Sequence, residues 1–128
     1  MENLKVKIEF NINFRHFEDI IVTAMEGGSN YWYHIDDFIP YIDGDNKEPA
    51  TIRLSKHLFN NPLYKLEICD KYDLLVLGTL TQASILKAIE LASKEYLDVF
   101  HDLLEGTGDA GTADILFQLA VMGKVIFG

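Results

Sequence analysis

Residues 81–106 constrain the fold more than any other part of the chain. Thr81 offers a side-chain oxygen to the orphan amides at a helix start, and Leu80 with Ile85 make the pair needed for a hydrophobic staple. Ile85, Ile89, Ala92, Tyr96, Val99 and Leu103 then recur at steps of four and three, which places them on one stripe of a helix. Gly106 supplies the stop. The spacing predicts one long helix over about 82–105, whose apolar stripe must be buried against the rest of the chain.

The remaining segments supply what it packs against. Residues 4–12, LKVKIEFNI, alternate with period two, so Leu4, Val6, Ile8 and Phe10 share one face of an expected half-buried strand. Phe17, Ile20, Ile21 and Ala24 fall at helical spacing and Gly27-Gly28 stand where a C-cap belongs, which predicts a helix over about 15–26. SNYWYHIDDFI reads as an aromatic-rich strand, and the PYIDGDNKEPA stretch as loop. TIRLSKHLFNNP stays open between helix and strand. LYKLEICD and DLLVLGTL read as strands joined by a hairpin turn at Asp70–Asp73. A third helix is expected from near Thr112, whose side chain can cap it, to Gly123, with Lys124–Gly128 as a last short strand added to the sheet. Strands and helices mix without strict βαβ alternation. The expectation is one α+β domain over 1–128, with a mixed or antiparallel sheet of about four to five strands against about three helices.

With 128 residues, 48% of them hydrophobic, the chain can build a core without disulfides or a structural metal. Its lone cysteine, Cys69, has no internal partner and suits a reducing compartment. The first residues alternate charge and apolarity, unlike a signal or transit peptide, and no apolar run approaches the ~18 residues of a membrane span. A soluble cytoplasmic protein is expected. Twenty acidic against eleven basic residues give a net charge of −9, which disfavours direct nucleic-acid binding. Arg15 and Arg53 are the only guanidinium forks. The same balance serves plain solvation or attraction to a basic partner.

Catalytic and metal signatures fail on spacing. His16, His34, His57 and His101 lie far apart with no i,i+4 pair, and His34 with Asp36 gives two ligands where a transition metal wants three or four. Asp43–Glu48 looks like a calcium loop, but its sixth position is Glu48 instead of Gly and its twelfth is Leu54 instead of Glu. No Gly-x-Ser-x-Gly elbow occurs, and Cys69 sits inside an apparent strand. Gly27-Gly28-Ser29 follows a helix, so the local dipole repels an anion. Paired carboxylates arise by chance among twenty acids and identify no acid–base couple. No catalytic residue, metal ligand or cofactor is assigned.

Three constellations remain. In the Glu26–Tyr33 stretch, Tyr31, Trp32 and Tyr33 alternate faces, so at least one ring lies off the main core face and can stack on a ligand or anchor a partner. A small local core or an oligomer contact explains the same rings. Asp114 and Gln118, four apart, share one face of the last helix, with Asp114 expected in the first turn where the dipole favours it. Together Glu26, Asn30, Tyr31, Trp32, Asp114 and Gln118 form a candidate ligand or partner site. Along the long helix, Glu95, Asp98, Asp102 and Glu105 step by three, four and three, with no Lys or Arg between Glu95 and Asp114. This stripe spans about 15 Å, and its last two acids stand at a helix end where they cost about 0.3–1 kcal/mol each. A solvated face or a surface for a basic partner accounts for it. Asp36, Asp37, Asp43, Asp45 and Glu48, offset by Lys47, form a second acidic run.

Thr23-Ala24-Met25-Glu26-Gly27-Gly28-Ser29-Asn30-Tyr31-Trp32, with Asp109-Ala110-Gly111-Thr112-Ala113-Asp114, Gln118 and Gly123-Lys124-Val125-Ile126-Phe127-Gly128, resembles a group of small proteins carried by bacteriophages and other mobile elements. The resemblance implies a context and no mechanism; the group tends to carry Glu where this chain has Lys124. It implies a host bacterial cytosol and a counter-defence type of role. The reading favoured is a non-enzymatic protein that binds and inhibits a host protein with a basic surface. A small nucleotide-type ligand module, and a small enzyme using Glu26, Asp114 or another acid, are the alternatives, and a homo-oligomer fits any of them.

Overall fold

The computed structural model describes residues 2–36 and 47–128. Along the chain run α1 (Phe14–Thr23), a π-helical turn (Ala24–Gly28), β1 (Tyr33–His34), α2 (Ala50–Asn60), β2 (Leu66–Asp70) and β3 (Val76–Leu80). Then follow α3 (Gln82–Glu95), α4 (Leu97–Glu105) and α5 (Ala110–Met122). The fold is α+β. Among the described residues the sheet has three antiparallel strands in the order β1-β2-β3.

α5 is the centre of the molecule. Thr112–Asp114 and Leu116–Val121 are all buried, because this helix is apolar around most of its circumference and must be enclosed. α1, α3, α4 and the sheet enclose it. Its C-terminal turn presses on β3 so closely that a Cβ on Gly78 would stand 1.9 Å from the Val121 carbonyl oxygen. Gly78 is therefore where backbone must meet backbone. Phe17, Ile20 and Ile21 of α1, Leu54 and Leu58 of α2, and Ile85, Ala88, Ile89 and Ala92 of α3 complete the core with Leu66, Ile68 and Leu80 of the sheet.

The β2–β3 hairpin forms where expected. The Asp70 side chain accepts from the amides of Tyr72 and Asp73, and Leu74 takes the left-handed conformation at φ 61°. The Thr81 cap also forms, and Ser84 completes a capping box with it. The undecided TIRLSKHLFNNP segment is helical as α2.

Five expectations are corrected. The long helix is two helices: Tyr96, at φ −136° and ψ 61°, leaves the helical region. Its amide still donates to Ala92 O and its carbonyl accepts from Phe100 N, so α4 starts at once in a new direction. After the break Val99, Phe100 and Leu103 are buried, and α4 packs on α5 and α1. Residues 4–12 are not a half-buried strand: Leu4, Val6, Ile8 and Phe10 are exposed, and no described strand pairs with them. Lys124–Phe127 does not join the sheet, because a side chain on α5 takes its amides. The third helix begins two residues early, capped by Asp109, whose side chain accepts from Thr112 N. β1 is also shorter than expected, since residues 29–32 turn before the chain extends. Asp37, Asp43 and Asp45 of the second acidic run lie outside the described residues; Asp36 bonds His34 and Glu48 pairs with Lys56.

Candidate functional site

The segment after α1 and the start of α5 converge. α1 ends in a π-helical turn whose capping residue, Ser29, donates its amide to Ala24 O at 2.8 Å. Trp32 N then bonds Ser29 O, closing a turn that aims Ser29, Tyr31 and Trp32 at α5. Gly28 permits the approach, since a Cβ there would lie 2.4 Å from Ala110 O.

Asp114 receives all three side chains. With Asp109 as the cap, Asp114 stands a turn deeper than expected and faces the interior. Its Oδ1 accepts from Ser29 Oγ and from Trp32 Nε1, each at 2.8 Å. Its Oδ2 accepts from Tyr31 OH at 2.5 Å and from Gln118 Nε2 at 3.2 Å. Gln118 extends the network to the tail: its Oε1 accepts from the amides of Ile126 and Phe127, and its Nε2 donates to Phe127 O at 3.0 Å. That anchorage stacks the Phe127 ring on Trp32, with centroids 5.4 Å apart and planes 14° from parallel, while Phe117 packs on the indole at 5.5 Å. Trp32 is only 2% exposed.

The chemistry of this cluster is that of a closed knot. A buried carboxylate is tolerated when donors surround it, and four do so here. Tyr31 is the one member with an open ring face, and burial of its hydroxyl, then its bond to Asp114, push its pKa up to about 12. Glu26 and Asn30 stand apart from the knot. Glu26 accepts from Thr51 Oγ1 at 2.6 Å, and its charge adds to burial in pushing the Tyr33 pKa up to about 12. Asn30 contributes its carbonyl to Lys71 Nζ at 2.8 Å.

The acidic residues form a second assembly. Asp98, Asp102 and Glu105 keep their spacing on α4, whereas Glu95 ends α3 across the break and lines, with Asp98, a shallow depression around Tyr96. Asp102 is partly buried and accepts from Thr107 Oγ1 at 3.2 Å. Beside it lies a small cleft of about 90 Å³ between α1, α4 and α5, ringed by Asp19, Asp102 and Asp109 with Arg15, Thr23 and Thr112. Hydrogen bonds from the backbone and side chain of Thr112 hold the Asp109 carboxyl below its usual pKa. Asp19 and Asp109 are additions to the acidic set found in the sequence. Arg15, Asp19 and Thr23 step by four, so their shared stripe on α1 was open to a helical-spacing argument.

The histidines serve local structure. His16 Nδ1 accepts from Asn13 N in the α1 capping box, His57 packs edge-on against Tyr64, and His101 lies 3.9 Å from Glu105. Among the described residues no three His, Cys, Asp or Glu side chains are grouped to hold a metal ion. The Cys69 thiol is buried, and burial followed by the charges of Asp36 and Glu67 raises its pKa. No helix among the described residues is long and apolar enough to cross a membrane. No family model, curated protein or solved structure matches the chain.

Proposed function

We propose that this is a non-enzymatic phage or mobile-element protein that binds and inhibits a host factor in the bacterial cytosol, docking its acidic face on a basic surface of that factor. One observation carries the reading. Asp102 joins the α4 stripe to a cleft that Asp19 and Asp109 also line, so carboxylates from three elements meet there with Arg15 as the sole cation in the lining. A field summed over several elements steers a basic partner better than isolated charges do. The cleft is also sized for a single cationic head group and too small for a nucleotide.

A nucleotide-type ligand module is the second reading, favoured by the half-exposed ring of Tyr31, whose hydroxyl Asp114 holds in place. Against it stands the filling of the Asp114 and Gln118 polar atoms by internal partners. The two readings separate by affinity capture from bacterial lysate with wild type and an Asp98→Lys/Glu105→Lys variant. Both residues are exposed. The reversals also offset each other in helix energetics, one at the start and one at the end of α4. The acidic-face reading expects a basic protein held by wild type and lost by the variant. Equal capture by both overturns it, and a thermal shift with nucleotides that Tyr31→Ala abolishes supports the ligand reading.

A further inference from the structure

Residues 4–10 have the pattern of a strand and no sheet. Leu4, Val6 and Ile8 are 97%, 82% and 70% exposed, and Phe10 is exposed beside them on the same face of the alternation. Among the described residues no backbone bond outside the helices and strands involves this segment before Asn13. A segment with four exposed apolar side chains alternating along the chain is unusual on an isolated domain and marks a contact surface. Its own sheet is not placed to receive it. Phe10 rests edge-on against Phe100 of α4 at 4.8 Å. α4 packs on α1, α3 and α5, and has no comparable contact with β3.

The complementary surface is on the sheet. β3 is an edge strand in the described sheet, with β2 on one side only. Leu75 and Val76 are exposed where it begins. A groove of about 500 Å³ opens beside Thr79, lined by Ala88, Leu91, Leu119 and Val121 together with Lys87, Glu90 and Lys94. An edge strand, unpaired on one side among the described residues, next to a partly apolar groove accepts an added strand: the edge supplies backbone hydrogen bonds and the groove takes alternate side chains.

We infer that the Leu4–Phe10 segment pairs with the β3 edge of a second copy of this chain, and that two copies exchange these segments reciprocally. The added strand is a fourth strand of the sheet. Its apolar face turns into the groove, and its other face sets Lys5 and Lys7 next to β3, one strand away from exposed Glu67 of β2, which pairs with Thr79. Each segment contributes roughly 400 Å² of apolar side-chain surface and covers as much again, so the reciprocal exchange approaches the roughly 1,600 Å² of a specific interface. Reciprocity closes the assembly at two copies and consumes both edges.

The test uses the full chain. Light scattering after size exclusion should give twice the 14.6 kDa chain mass for wild type at micromolar concentration. Val6→Asp/Ile8→Asp should give a single-chain mass and raise the dissociation constant at least a hundredfold, with an unchanged melting transition when both proteins are compared as monomers. Deuterium exchange at the β3 amides should be slow in wild type and fast in the variant. Wild type that stays at 14.6 kDa overturns the inference. A variant that remains dimeric, or a dimer with β3 as open to exchange as in the variant, does so equally.

Discussion

Replacing Asp114 with alanine removes the acceptor on which the turn and the tail both depend. Ser29 Oγ and Trp32 Nε1 have no second acceptor among the described residues, and both side chains are buried. A buried donor left unpaired costs about 1–3 kcal/mol, so these two alone set a loss of about 2–6 kcal/mol. Tyr31 loses the same acceptor, but its side chain is half-exposed, so its share falls at the low end of the range for one donor. Gln118 keeps its bonds to the Phe127 and Ile126 backbone. A loss of about 4 kcal/mol is therefore expected against a total stability of about 5–15 kcal/mol. Equilibrium urea unfolding measures it, and the single tryptophan makes Trp32 fluorescence a direct probe of the site. A double-mutant cycle with Trp32→Phe isolates the shared bond: Asp114→Ala should cost about 1–3 kcal/mol less in the Trp32→Phe background. A loss under about 1 kcal/mol, or strict additivity in the cycle, would refute the claim that Asp114 holds this knot.

Gly78→Ala should destabilise the fold by more than about 2 kcal/mol, since the new Cβ meets Val121 O of α5, whereas Gly27→Ala, with nothing within 4 Å, should be close to neutral; thermal melts compare them. Gln118→Ala should free the tail, seen as faster deuterium exchange at Ile126 and Phe127 and a red shift of Trp32 emission as Phe127 leaves the indole. Thr81→Ala removes the α3 cap and should cost about 1 kcal/mol in urea unfolding. Tyr31 and Tyr33 have folded pKa values of about 12 against an ordinary 10.0, so folding favours their neutral forms. That stability is complete below pH 10.0 and is lost as pH rises toward about 12, which a series of melts should record as a falling transition temperature above pH 10.0. Tyr33→Phe should flatten part of that fall.

The elements with local signals were legible. Thr81 capped a helix, Asp70–Asp73 turned a hairpin and Gly123 stopped α5, because caps and turns are decided by neighbours in the chain. The break at Tyr96 was not, since no glycine or proline marks it and the apolar stripe runs through. The packing of α4 on α5 and α1 that accompanies it joins residues distant in sequence, which a local pattern does not report. The alternation of residues 4–10 was read as a half-buried strand, and the described structure has neither the strand nor the burial: period two reports which side chains share a face, and says nothing of whether a sheet receives them. At the site, Tyr31, Trp32, Asp114 and Gln118 were named from separate arguments, and the fold joins them through Ser29 and Phe127. Asp114 was placed one turn too near the helix start because Thr112 hid the true cap, Asp109. That error made a buried hub look like a surface charge serving the dipole.

The proposed function makes the acidic face the binding surface, while the Asp114 knot ties together the turn, α5 and the tail. The most direct measurement is a binding titration of the captured host protein against wild type, Asp98→Lys/Glu105→Lys and Tyr31→Ala at low and at moderate salt. The account predicts that the charge reversal weakens binding at least thirtyfold, that salt weakens wild type steeply, and that Tyr31→Ala binds as wild type does. Affinity that ignores both salt and the reversal would contradict it.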